Sequence, residues 1–297
     1  MKNSSYTFAI AAIILWGTTP VSMKLILREM NSYQLLFFMC LFASIALFII
    51  AGVIGSFKRV VRYTARDYLI IAALGVWGIY IYNLLYTVAI SLGPTQMVSV
   101  VNYLWPIFIV LLGIIILKEK LTLPKVIANI ISFAGVAIAV GGGNFTGLKP
   151  SIGVLLAFLG AFIYGSFCVL TKKANYDKAF SMAVYFGVSA ICAGATLPFV
   201  GGFPPLNIPL VGLLVWRGAV TGGLGYTAWA VALQRGETAK MSNLLFFAPI
   251  LQLFFIWAIL GEKITFYTYI GLGALIVGTL ISNYKRQPSS VEKNSQA

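Results

Sequence analysis

Between positions 96 and 106 the chain places Gln96, Ser99, Tyr103 and Pro106 at i, i+3, i+7 and i+10, with Asn102 beside them. On a helix that spacing is one continuous polar and aromatic face. Amides, a hydroxyl and a phenol can hydrogen-bond a polar ligand, and rings can stack on one. The bland use of the same groups is bonding between neighbouring helices. Upstream, Tyr82 and Tyr86 stand one turn apart on one face. Pro106 has no N–H and frees the carbonyl of Asn102 four residues earlier, so a kink is expected there. Pro249 is expected to act in the same way on Leu245.

Other candidates are more isolated. Trp229 and Tyr164 fall in apolar runs where a ring can face inward or join an interfacial belt. Arg217 lies a few residues into an apolar run. Near a membrane surface an arginine snorkels, which is the expected behaviour; turned inward, it would hold a carboxylate. The candidate ligand-binding set read from these residues is therefore Tyr82, Tyr86, Gln96, Ser99, Asn102, Tyr103, Pro106, Tyr164, Arg217 and Trp229, with Pro106 and Pro249 as gating positions.

Absences narrow the chemistry. The sequence has no histidine, so the commonest general base, metal ligand and proton shuttle is missing. Glu29, Asp67, Glu119, Asp177, Glu237, Glu262 and Glu292 all fall in loops or at the ends of apolar runs. That leaves no paired carboxylates for acid–base work and no mid-span acid to exchange a proton against a cationic drug. Cys40, Cys168 and Cys192 lie inside apolar runs, as packing residues rather than a disulfide framework or a zinc site. No phosphate-binding glycine loop is present, so neither ATP-driven pumping nor any cofactor is expected.

These residues are positioned by elements of one kind. Of 297 residues, 60% are hydrophobic and 9% charged, against about 25% charged in a soluble domain. The bilayer must be the solvent for such a chain. Ten runs long enough to span it lie at about 6–27, 33–55, 68–89, 94–117, 124–142, 151–171, 180–200, 210–233, 239–260 and 266–284. Their length excludes the short alternating strands of a β-barrel. The first is read as a retained span rather than a cleaved signal. Gly93-Pro94 and Gly236-Glu237 punctuate the runs, and the tail after Lys285 is polar. The net charge of +14 arises from residues in the short gaps, with no basic face for nucleic acid. Alternate gaps carry sixteen and five of the 21 Lys and Arg, so the richer side, with both termini, is expected to be cytoplasmic.

The chain also repeats itself. Pro106-Ile107 recurs as Pro249-Ile250, Glu119-Lys120 as Glu262-Lys263, Thr122 as Thr265 and Gly135 as Gly278, always 143 positions on. Trp16-Gly17-Thr18 with Lys24 matches Tyr164-Gly165-Ser166 with Lys172 at an offset of 148. The fold expected is thus all-α, with ten transmembrane helices. Residues 1–146 and 147–286 are two five-helix halves around a central cavity, and 287–297 a disordered cytoplasmic tail. Five is odd, so the second half enters the membrane inverted, a design that places small-molecule sites at the interface of the halves. Gly218 and Gly222 form a GxxxG pair suited to packing within the chain or to a weak dimer, so a monomer or weak dimer is expected.

The arrangement resembles the drug/metabolite transporter superfamily, with two EamA-type repeats. Asn102-Tyr103-Leu104-Trp105-Pro106 is similar to the motif of its bacterial aromatic amino acid exporters. So are Leu156–Tyr164 with Cys168 and Thr171-Lys172-Lys173, and Leu224-Gly225-Tyr226-Thr227-Ala228-Trp229. The resemblance implies a multi-pass protein of the bacterial inner membrane, gates on helices four and nine, and export of aromatic or large neutral amino acids. Another metabolite or drug on the same scaffold is the alternative. It implies a cavity lined by Tyr103, Trp105 and Pro106 opposite Tyr82 and Tyr86. Tyr164 stands where those exporters tend to have tryptophan.

Overall fold

The computed structural model describes residues 2–118, 123–141, 151–174, 176–235, 244 and 247–283. All regular structure among them is helical. We number the rods α1 (Ser5–Ile26), α2 (Ser32–Val53), α3 (Ala65–Leu92), α4 (Thr95–Ile116), α5 (Leu123–Gly141), α6 (Ile152–Ala174), α7 (Lys178–Phe199), α8 (Ile208–Trp229, continuing to Arg235), α9 (Phe247–Leu260) and α10 (Phe266–Asn283). Seven of them, α1–α4 and α6–α8, are long and apolar enough to cross a membrane. α9 and the apolar part of α10, Phe266–Gly278, are shorter. Glu119, Lys120, Thr122, Glu237, residues 142–150 at the junction of the expected halves, and the tail from 284 lie outside the described residues.

Helix ends follow local chemistry. Asn31 and Gln34 form a capping box at α2, and Thr64 and Asp67 form one at α3. Asp177 caps α7 through Phe180 N, and Asn207 caps α8 through Leu210 N. Lys24 Nζ donates to Ile90 O at 2.9 Å, a cation beside the last carbonyls of α3.

The expected kink at Pro106 is present. α4 stops being α-helical at Tyr103-Leu104 and resumes at Trp105. Tyr103 N is shared between Ser99 O at 3.2 Å and Val100 O at 3.1 Å, and Leu104 N reaches Val101 O at 3.0 Å, so the turn tightens ahead of the proline. Pro249 falls in the first turn of α9. Leu245, whose carbonyl it is expected to free, lies outside the described residues.

Packing contacts recur in pairs. Gly75 of α3 lies against α7, where an added Cβ would meet Tyr185 Cα at 2.8 Å; Gly218 of α8 lies against α2, where it would meet Met39 O and Phe42 Cβ at 2.7 Å. Gly218 is 143 positions after Gly75. α3 widens to a π-helix over Val76–Ile81 and α8 over Trp216–Leu224, again at related positions. Trp77 Nε1 donates to Ser166 Oγ at 2.7 Å, and Trp216 Nε1 to Thr18 Oγ1 at 3.0 Å. Each hydroxyl in turn donates to the carbonyl three residues back, Ile163 O and Leu15 O, both at 2.7 Å. Gly222 also packs on α2, near Ala43, so the GxxxG pair serves contact within the chain. Replacing Gly218 by alanine should cost about 1–3 kcal/mol by overpacking against backbone. The check is a lower melting temperature in detergent; an unchanged value would mean that α2 and α8 are free to separate.

Candidate functional site

The break in α4 places Trp105 at the head of a chain of rings, two residues after Tyr103. Trp105 meets Tyr164 of α6 edge-on, with centroids 5.5 Å apart. Tyr164 stacks on Tyr82 of α3 at 4.6 Å, and Tyr82 on Tyr86 at 6.0 Å with the planes 3° apart. The Tyr164 hydroxyl lies 3.5 Å from that of Tyr226 on α8. Tyr226 packs edge-on against Trp16 of α1 at 5.4 Å, and Trp16 lies 5.9 Å from Trp229. These offset and edge-to-face geometries are the favourable ones for aromatic pairs. They connect five rods, α4, α6, α3, α8 and α1, through side chains alone.

Unsatisfied polar atoms sit among the rings. Asn102 Nδ2 donates to Tyr82 Oη at 3.3 Å, while its Oδ1 has no partner. Gln252 of α9 donates through Nε2 to Tyr103 Oη at 3.2 Å and to Trp16 O at 3.3 Å. A carbonyl can only accept, so the Trp16 bond fixes this amide's orientation and leaves Oε1 as an unpartnered acceptor. Ser99 Oγ is buried without a hydrogen-bond partner. Buried polar atoms without partners are costly, and a ligand that satisfies them gains accordingly.

Arg217 departs from the expectation that it snorkels. It is 7% exposed, inside the bundle. α8 begins at Ile208, so Arg217 lies about two and a half turns in, at the start of the widened π segment. Nη1 is 3.4 Å from Thr221 Oγ1, whose own proton goes to Arg217 O at 2.7 Å, and Nε has no partner. The guanidinium is within electrostatic range of the Tyr226, Tyr82 and Tyr86 phenols. Of the acids, Asp67 and Asp177 act as helix caps and Glu29 is exposed.

Gln96 is engaged elsewhere. Its Nε2 donates to Lys263 O at 2.9 Å, and its Oε1 accepts from Thr265 N and Thr268 Oγ1, both at 3.4 Å. Its backbone N donates to Glu262 Oε2 at 3.4 Å. The start of α4 is thus clamped to the α9–α10 connection, apart from the rings. Thr221, Tyr226 and Gln252 were not among the candidates read from the sequence. Tyr226 lies within the stretch 224–229 that carries the resemblance. Gln252 is a lone amide in an apolar run, which was the available signal. Among the described residues no group of three or more His, Cys, Asp or Glu could hold a metal ion.

The chain matches the EamA-like transporter family over residues 3–141 and 151–284. It is 26% identical over 279 residues to an uncharacterized transporter of Archaeoglobus fulgidus, covering 92% of this chain and 96% of that one. It is 29% identical over 196 residues to the aromatic amino acid exporter YddG of Salmonella typhimurium, covering 62% and 65%. Against the uncharacterized inner membrane transporter YhbE of Escherichia coli the identity is 26%, covering 83% and 78%. A crystal structure superimposes over 97% of this chain and 99% of its own with a TM-score of 0.71, at 20% identity, which shows the fold alone. An apolar helical bundle matched along nearly its whole length, the chain belongs to the EamA-like transporter family: it is a multi-pass membrane transporter.

Proposed function

We propose that this transporter exports aromatic and other large neutral amino acids by alternating access, through a site built from Tyr82, Tyr86, Asn102, Tyr103, Trp105, Tyr164, Tyr226, Trp229, Gln252 and Arg217. One observation carries the reading. A continuous set of aromatic rings is hydrogen-bonded to two amides, Asn102 and Gln252, whose oxygens have no partner, and the same bundle buries a guanidinium with an unpartnered N–H. Rings suit a large side chain and, by cation–π attraction, an ammonium, worth about 0.5–2 kcal/mol. The Gln252 oxygen suits an ammonium as acceptor, and Arg217 suits a carboxylate.

The architecture we infer is ten spans in two inverted halves, 1–146 and 147–286, around a central cavity with both termini cytoplasmic. The paired close contacts at Gly75 and Gly218 and the paired π segments support it. So does the loop charge. In this reading the broken turn before Pro106 and the proline of α9, Pro249, let the fourth and ninth rods gate the site. Gln96 is moved from the ligand set to the gate.

The test is counterflow in proteoliposomes, with labelled tryptophan outside and unlabelled phenylalanine or tryptophan inside. Trp105→Ala should slow uptake about tenfold, because it removes the ring at the head of the stack while leaving helix packing in place. No uptake by the folded parent protein would move the substrate to another metabolite class. Uptake unchanged in the variant would move the site away from α4.

A further inference from the structure

The linker between α2 and α3 and the linker between α6 and α7 form one fixed face, apart from the ring cluster. Gly55, at φ +74°, turns the chain out of α2 into a short helix, Ser56–Val60. Phe57 of that helix stacks on Phe48 and meets Phe180 of α7, and Val60 is buried. Three polar contacts tie this linker to the other. Asp177 N donates to Tyr63 Oη at 2.7 Å, Tyr176 Oη donates to Asp67 at 2.9 Å, and Arg59 pairs with Asp177 at 3.3 Å.

Those contacts engage both acids of the face among the described residues. Asp67 also accepts from Thr64 N and Oγ1, and Asp177 from Phe180 N. Lys58, Arg62, Arg66, Lys173 and Lys178 stand exposed on the same face. Val53, Ile54 and Val61 are exposed along its rim. A rigid group of cations above a collar of apolar side chains matches one partner in both charge and polarity. That partner is an anionic phospholipid, with its headgroup phosphate at the cations and the upper acyl chain at the collar.

We infer that this face binds anionic phospholipid from the leaflet it meets, and that bound lipid bridges the two linkers. The inference stands apart from the substrate reading, since none of these residues reaches the ring cluster. Each basic residue near an anionic surface contributes about fivefold in affinity, about 1 kcal/mol. Removing two should therefore weaken binding about 25-fold.

The experiment titrates phosphatidylglycerol into the purified full-length protein in uncharged detergent. Retained lipid is counted by native mass spectrometry, and the melting temperature is followed in parallel. Phosphatidylcholine and inorganic phosphate are the comparators. Arg62→Gln/Arg66→Gln is the test variant; it spares Arg59, whose pair with Asp177 is structural. Arg28→Gln, an exposed change at the end of α1, is the control. Phosphatidylglycerol alone should be retained and raise the melting temperature. The double variant, with an unchanged gel-filtration profile, should lose that response, and Arg28→Gln should keep it. Three results would overturn the inference: no retained phosphatidylglycerol, equal stabilisation by phosphatidylcholine, or an unaltered response in the double variant. Stabilisation by inorganic phosphate to the same degree would overturn it in favour of a free-anion site.

Discussion

Replacing Arg217 with methionine should abolish most transport and leave the protein at least as stable as before. The two halves of that result come from one fact, a guanidinium buried in the bundle with one hydroxyl contact at 3.4 Å and an unpartnered Nε. An arginine at the centre of a span costs about 2.5–3.5 kcal/mol on insertion scales. Methionine is similarly long, apolar and adaptable, and it removes that cost. If the arginine received a carboxylate, the variant would lose one or two charge-assisted hydrogen bonds at about 1.5–3 kcal/mol each. That corresponds to about 100-fold in kcat/KM for an amino acid substrate. Counterflow and a detergent melting curve on the same preparation check both halves. Transport retained would mean that the carboxylate is met elsewhere. A melting temperature lower by many degrees would make Arg217 a packing residue. Tryptamine, which lacks the carboxylate, should compete equally with parent and variant, which separates a lost anion contact from a collapsed site.

Arg217 also marks the boundary of what the sequence discloses. Its type and its place in an apolar run were legible, but the direction of the side chain was not. That direction depends on where α8 starts and on the widening over Trp216–Leu224, and no periodicity in a single helix encodes either. The α4 face was easier. Asn102, Tyr103 and Trp105 lie on one segment, and Pro106 dictates the break beside them through a missing N–H. Tyr82 and Tyr86 followed from spacing one turn apart, and they stack in parallel as that spacing allows. Gln252 and Tyr226 show the limit more sharply. Each gains its meaning from a partner far along the chain, Trp16 and Tyr103 for the amide, Tyr164 for the phenol. A lone amide in an apolar run is a hint, whereas its fixed orientation is a property of three helices together. Gln96 shows the same limit. Helical spacing places it on the face of Ser99 and Tyr103, but a connection more than 160 residues away claims its side chain.

If Gln96 belongs to the gate, as proposed, Gln96→Ala should open the end of the bundle that its side chain ties together. The side chain makes three hydrogen bonds to the α9–α10 connection, and Thr265 and Thr268 are themselves joined at 2.8 Å. Two of the three are long, so together they hold the closed arrangement by about 2 kcal/mol rather than the full sum of ordinary bonds. Losing that shifts an open–closed equilibrium about 30-fold. In the inverted-repeat reading the position related to Gln96 is Ala239, which has no amide to offer. The chain would then latch one end more firmly than the other, and Gln96 would set its resting state. Ser99 is buried one turn below the clamp and reports on it directly. With Cys40, Cys168 and Cys192 replaced by serine, Ser99→Cys should react slowly with an impermeant thiol reagent added on the α9–α10 side. Adding Gln96→Ala should speed that reaction about 30-fold, with no change in reaction from the opposite side. Equal rates with and without the amide would remove Gln96 from the gate and leave it as one more bond between helix ends.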